Sequence, residues 1–188
     1  MGRDEEILDA AERLFFERSF DGVGVDEIGR AAGVSGSAIY QHFHGKDELL
    51  AALFTRVVDT LLLRLGEPDP DPDVELDKLL RAFAELAIRN ERLAAIWVRE
   101  QRSLAEVYRR DHDRRQRYFT ERWVACLRRH FPTLSEAELV SATRAVQMIL
   151  LSEALRPPSG RHSENPQEIL LSMAHASLQG LRVSTTSG

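Results

Sequence analysis

Residues 25–50, VDEIGRAAGVSGSAIYQHFHGKDELL, constrain the fold more than any other stretch of the chain. Their pattern is that of two short helices around a glycine turn, followed by the start of a third. Val25, Ile28 and Ala32 put small and branched apolar groups on one face of a first short helix, and Gly33 supplies a residue that tolerates φ > 0 at its end. Val34 packs inward. Ser35 is placed to accept a hydrogen bond from backbone N–H groups one turn on, which makes it the N-cap of a second helix running to about Phe43. Ile39 and Phe43, four apart, face the same core. Gly36, Ser37, Tyr40 and Gln41, with His42 and Lys46, are left outside: small, hydrogen-bonding or cationic groups where a solvated helix carries Glu and Lys.

The run GVSGSAIYQHFHGKDELL resembles the helix-turn-helix of the tetracycline-repressor (TetR) family. The shared pattern is a long first helix, an aliphatic-x-x-Ile second helix, Gly-Val-Ser at the turn, an aliphatic-Tyr-x-His/Tyr-Phe third helix and Lys-Asp/Glu-x-Leu opening the fourth. The resemblance covers the first third of the chain; beyond it, length and helical character agree. It implies an all-α fold with an N-terminal three-helix DNA-binding domain over residues 1–50. A fourth helix, to about residue 65, is the link, and residues 51–188 form a helical ligand-binding and dimerisation domain. The implied function is that of a cytoplasmic, homodimeric transcriptional repressor released from a near-palindromic double-stranded DNA operator by a small apolar or aromatic ligand. Tyr40, His42 and Lys46 then fall where the family contacts phosphate, while Ser35 caps the reading helix and Gly36, Ser37, Ala38 and Gln41 lie near base edges. One position departs: Gly24 stands where the family carries a capping Ser or Thr. Glycine caps less well by a few tenths of a kcal/mol and has no hydroxyl to offer phosphate.

The charge balance runs against a DNA reader. Residues 1–50 hold five basic side chains against eleven acidic ones, and the whole chain carries a formal charge of −5. A broad basic footprint is absent, so binding would rest on a few placed contacts. Leu, Ala, Arg and Glu abound, Gly and Pro are localised, and no β-branched alternation suggests strands. The single Cys126 allows no internal disulfide and suits a reducing cytosol; the charged start from Arg3 to Glu6 is no apolar signal segment. The longest apolar run, about residues 145–155, includes Gln147 and Glu153 and falls short of the ~20 residues a membrane span needs.

In chain order, residues 4–18 show Ile7, Leu8, Ala11, Leu14 and Phe15 at helical spacing. Residues 46–65 carry a wide stripe that includes Leu49, Leu53, Val57, Leu61 and Leu62. The acid-proline run 66–73 marks a solvated loop, after which Asp73 is read as the cap of a helix ending near Asn90. A short helix around Leu93 and Trp97 follows, then a long arginine-rich one over 104–131, its arginines a solvated face or a docking patch. Ser135 with Glu138 opens a capping-box helix running to about residue 156, where Pro157 and Pro158 end it. Asn165, Pro166 and Glu168 open the last, and the tail from 184 frays.

Phe83, Trp97, Tyr108, Phe119 and Trp123, with Gln147 and Met148, form a mix that suits an apolar cavity with few polar anchors, and equally a plain core. By resemblance the last two helices pair with their copies in a second subunit through Leu151, Leu155, Leu170, Ala174, Ser177, Leu178 and Leu181. His42 and His44 lack the Cys or carboxylate cluster that a metal site needs, and no cofactor motif is present. No phosphate loop, nucleophile elbow or local Ser-His-Asp set supports an enzyme. Two alternatives stay open: a regulator without a ligand switch, and a helical binding module with weak or no DNA binding.

Overall fold

The computed structural model describes residues 2–156 and 163–184. Among them are nine α-helices: α1 (Arg3–Arg18), α2 (Val25–Ala31), α3 (Gly36–Ile39), α4 (Lys46–Leu65), α5 (Pro72–Arg89), α6 (Glu91–Arg99), α7 (Glu106–His130), α8 (Glu136–Leu151) and α9 (Pro166–Ser184). Short 3₁₀ turns follow α6 and α8. No strand occurs among the described residues, so the fold is all-helical, and none of their helices is long and apolar enough to cross a membrane. Two compact units divide the chain: residues 1–59 with 92–114, and residues 60–91 with 115–188.

In the first unit α1 buries Ile7, Ala10, Ala11, Leu14 and Phe15 on one stripe. Its end is abrupt. Ser19 takes φ 64°, which non-glycine residues seldom adopt, and swings the chain so that Phe20 packs on Phe15 with ring centroids 5.4 Å apart. Gly24 has no side chain to cap α2, but the Glu27 carboxylate accepts from the Gly24 N–H at 3.2 Å and pairs with Arg18 at 2.9 Å. Half of a capping box therefore survives the missing hydroxyl. Leu49, Leu50, Leu53, Phe54 and Val57 of α4 and Leu93, Ile96 and Trp97 of α6 are buried.

In the second unit α5, α8 and α9 pack on one another. Phe83 of α5 meets Trp123 of α7 edge-on at 5.5 Å, and both are fully buried. The cap of α5 is Asp71, which accepts from the Asp73 N–H at 2.9 Å, so the helix starts two residues before the expected Asp73 with Pro72 inside its first turn. Ser135 and Glu138 form the reciprocal capping box of α8. That helix was expected to reach about 156 but ends at Leu151. The Ser152 hydroxyl donates to the Ile149 carbonyl at 2.7 Å and the backbone tightens into a 3₁₀ turn to Leu155. Leu62, read into the inner stripe of α4, is exposed. The expected Pro157–Pro158 stop and the tail from residue 185 lie outside the described residues.

Candidate nucleic-acid interface

The turn between α2 and α3 is set by three glycines. Gly33, at φ 71°, reverses the chain, and the Val34 N–H donates to the Gly29 carbonyl at 2.9 Å. Gly29 and Gly36 then let the helices meet backbone to backbone. A Cβ at Gly29 would stand 3.0 to 3.1 Å from the backbone of Val34, Ser35 and Gly36, and one at Gly36 would run into the Asp26 carboxylate. Ser35 caps α3 by accepting from the Ala38 N–H at 3.1 Å, with the Ser37 hydroxyl 2.9 Å from its own. Both features give Gly36 and Ser35 a part in the architecture of the turn, with Ser35 exposed and Gly36 half-buried.

As regular helix, α3 is one turn long, shorter than the expected run to Phe43. The His42 and Phe43 N–H groups both return to the Ile39 carbonyl, at 2.9 and 2.8 Å, so the chain leaves as overlapping turns while Phe43 stays in the core with Ile39. Ser37, Tyr40 and Gln41 are exposed and Ala38 half-buried; Tyr40 keeps 60% of its surface in solvent. The His42 ring Nδ1 lies 2.5 Å from Asp4, tying the end of α3 to the start of α1. His44 turns to Glu48, which accepts from its backbone N–H at 2.6 Å, and this bond, with the ring contact, holds the Glu48 carboxyl below its ordinary range.

Lys46 points inward. Its ammonium donates to the Phe20 carbonyl at 3.2 Å, reaches the Val23 carbonyl at 3.5 Å and stands 4.3 Å from the centre of the Phe20 ring. On the other side of the same residue, the Phe20 N–H donates to the buried carboxylate of Glu100 at 3.3 Å, and the Ser103 hydroxyl donates to that carboxylate at 3.1 Å. Arg99 adds a bond to the Phe16 carbonyl at 3.1 Å. The end of α1 is thus gripped from the start of α4 and from the end of α6. The local pattern sets Lys46 on the outer side, whereas its ammonium turns to Phe20, and nothing local marks Glu100, whose partner lies 80 residues away.

Several acids of this unit are spent internally: Glu6 on Arg3, Asp9 and Glu12 on Arg56, Glu27 on Arg18 and the Gly24 N–H. Residues 51–59 and 92–114 bring seven arginines against five acids, which eases the deficit seen in the first fifty residues.

The residues expected to line a ligand cavity are divided between the units. Trp97 and Tyr108 belong to the first, while Phe83, Phe119, Trp123, Gln147 and Met148 belong to the second. Phe83, Phe119 and Trp123 are buried; Gln147 is half-buried and Met148 exposed. The residues expected at the subunit interface fall into two groups. Leu151, Leu170, Ala174 and Leu178 are buried within the single chain, where α5, α8 and α9 cover one another. Ser177 and Leu181 are half-buried and Leu155 exposed. The outward apolar groups of α8, its 3₁₀ extension and α9 are Met148, Leu155, Ile169 and Met173.

A short exposed helix carried across a glycine turn on a rigid helical support defines a helix-turn-helix protein. Residues 7–53 match the model of the bacterial regulatory proteins of the tetR family. The transcriptional activator FasR of Mycolicibacterium smegmatis is 44% identical over 63 residues, covering 32% of this chain and 29% of that protein. The chain spans less than half the length of the curated relatives it matches. SCO3833, a TetR-family member from Streptomyces coelicolor, superposes with a TM-score of 0.72 at 27% identity, over 93% of this chain and 90% of that one. AibR, solved in complex with isovaleryl coenzyme A and operator DNA, shares the fold with a TM-score of 0.76 at 20% identity, over 92% and 97% of the two chains. Residues 7–53 thus carry the helix-turn-helix of the tetR family of bacterial regulatory proteins, and the chain shares the fold of the solved structures compared.

Proposed function

We propose that this chain is a homodimeric transcriptional repressor that reads a near-palindromic DNA operator and is released from it by a small apolar ligand. The observation that carries the reading is the α2–α3 surface: Ser37, Ala38 and Gln41 face outward from a turn whose glycines and Ser35 cap leave it no slack. Ser37 and Gln41 offer hydrogen bonds to base edges and Ala38 a methyl to thymine, while Tyr40 and His42 flank them for phosphate. Dimerisation is supported by the exposed apolar side chains Met148, Leu155, Ile169 and Met173, and two-fold symmetry sets half-sites about one helical turn apart. The ligand reading draws on the residue types of Phe83, Trp97, Tyr108, Phe119, Trp123, Gln147 and Met148, and on AibR, which was solved with both isovaleryl coenzyme A and operator DNA. Release requires that the guest bind better to the form that fits the operator worse.

The acidity of residues 1–50 favours a second reading, a helical binding module without DNA affinity. Purified protein mixed with sheared genomic DNA, followed by capture and sequencing, separates the two. Enrichment of a palindrome supports the regulator; recovery of background sequence only supports the module. In a randomised-site selection, Gln41→Ala should relax preference at one operator position by ~1 to 3 kcal/mol, and an unchanged profile would remove Gln41 from the reading surface.

A further inference from the structure

Within the second unit, a cavity of about 270 Å³ opens between the loop after α4, the first turns of α5 and one flank of α7. We propose that it is a binding site for a small organic cation, an ammonium group on a compact apolar body. Its size is near the small end of the roughly 300–1,000 Å³ that ligand sites span. The floor is an ion pair already satisfied. Arg122 donates to both carboxylate oxygens of Glu75, at 2.5 and 3.1 Å, with each side chain 5% exposed, and spends its remaining reach on the Gly66 and Leu65 carbonyls. Pro68, Ala125 and Cys126 make the walls apolar. Burial pushes the Cys126 thiol up to about 12, so it stays neutral.

The charges decide the guest. Three acids and two arginines line the cavity: among the described residues Asp69, Glu75 and Arg122 are held in ion pairs, Glu121 and Arg129 are not, and eight residues of α7, about 12 Å along its axis, separate these two. Asp69 holds Lys78 at 2.8 Å and the Asp71 N–H at 3.1 Å; Glu75 holds Arg122; Arg129 donates to the Pro70 carbonyl. Glu121, exposed at the rim, has no ion-pair partner among the described residues. Beside it Tyr118 keeps 47% of its surface open, braced edge-on against Phe119 at 5.8 Å. At the Tyr118 end of the cavity, an aromatic ring next to an unpaired carboxylate, over an Arg122 whose donors are spent, favours a cation. None of the residues assigned above to the regulatory ligand lines this cavity, and its occupancy does not depend on DNA binding.

The test is calorimetric titration of the full chain with phenethylammonium, its neutral isostere 2-phenylethanol, and phenylacetate. A cation–π contact plus a half-solvated ion pair should favour the ammonium over the alcohol by about tenfold, with phenylacetate weakest. Glu121→Gln should remove the ion-pair share of that advantage, leaving only the contact with Tyr118, and leave the alcohol unchanged. Ala125→Trp should block both by filling the space; Ala125 is exposed on α7, and an unchanged thermal melt confirms folding. Ala125→Leu serves if the larger residue perturbs the helix. Absence of saturable binding, equal affinity for ammonium and alcohol, or indifference to Glu121→Gln would each overturn the proposal.

Discussion

Replacing Lys46 with methionine removes its charge and keeps the apolar stem. The ammonium contributes a charge-assisted bond to the Phe20 carbonyl, a longer one to Val23 and a contact over the Phe20 ring. Charged hydrogen bonds contribute about 1.5–3 kcal/mol and a partly exposed cation–π contact about 0.5–1. The freed carbonyls regain water, so the expected loss of unfolding free energy is about 1–3 kcal/mol by urea titration. DNA binding supplies the contrasting readout. Each phosphate neutralised by a lysine adds ~0.9 to the slope of log affinity against log salt, so a phosphate-bound Lys46 in a two-fold dimer accounts for ~1.8 of it. An ammonium occupied by Phe20 accounts for none. The expected result is a destabilised protein whose affinity falls with an unchanged slope. Stability within about 0.5 kcal/mol of the parent, together with a slope shallower by ~0.9 per subunit, would refute the inward role.

Three further outcomes follow from the packing. Met173→Glu should give monomers of near-parental stability by sedimentation, whereas Ala174→Arg should unfold the second unit, because Met173 is 57% exposed and Ala174 fully buried. Arg122→Met should cost about 3–5 kcal/mol in urea unfolding by stranding the Glu75 carboxylate, and adding Glu75→Leu should recover most of it. Glu27, Glu48 and Glu138 have carboxyls held below their ordinary range, chiefly by backbone N–H groups for Glu27 and Glu48 and by the Ser135 hydroxyl, then its N–H, for Glu138. Their stabilisation is complete above about pH 4.3, the unfolded value, and declines as pH falls from there through the depressed native values, so an acid titration followed by circular dichroism should show Glu138→Gln flattening part of that fall.

What the sequence made legible was local. The capping box of Ser135 and Glu138, the glycine turn at Gly33 and the stripe of α1 each depend on residues within one or two turns, and each was found where expected. The cap of α5 was equally local but misplaced: Asp71-Pro72 carries the N-cap and N1 pattern, and the alternating acids of the loop obscured it. The faces of α8 and α9 were harder for a physical reason. A helix apolar nearly all round has periodicity on every side, and which side is covered by its own chain depends on where α5 lies, which no local pattern encodes. The same holds for the grip of Glu100 on Phe20 and of Arg122 on Glu75, joined across 80 and 47 residues.

The contact of Gly29 with the backbone at Gly36 has a consequence for how such a protein changes over generations. A side chain at Gly29 must push backbone apart by a few tenths of an ångström, whereas one at Gly36 has only to turn the Asp26 carboxylate aside, so drift is resisted most at Gly29. Ser37, Ala38 and Gln41, anchored to nothing else in the core, are open to exchange. On the proposed reading of this surface, new specificities arise by swapping the outer residues one at a time, as type is changed in a press whose frame stays locked.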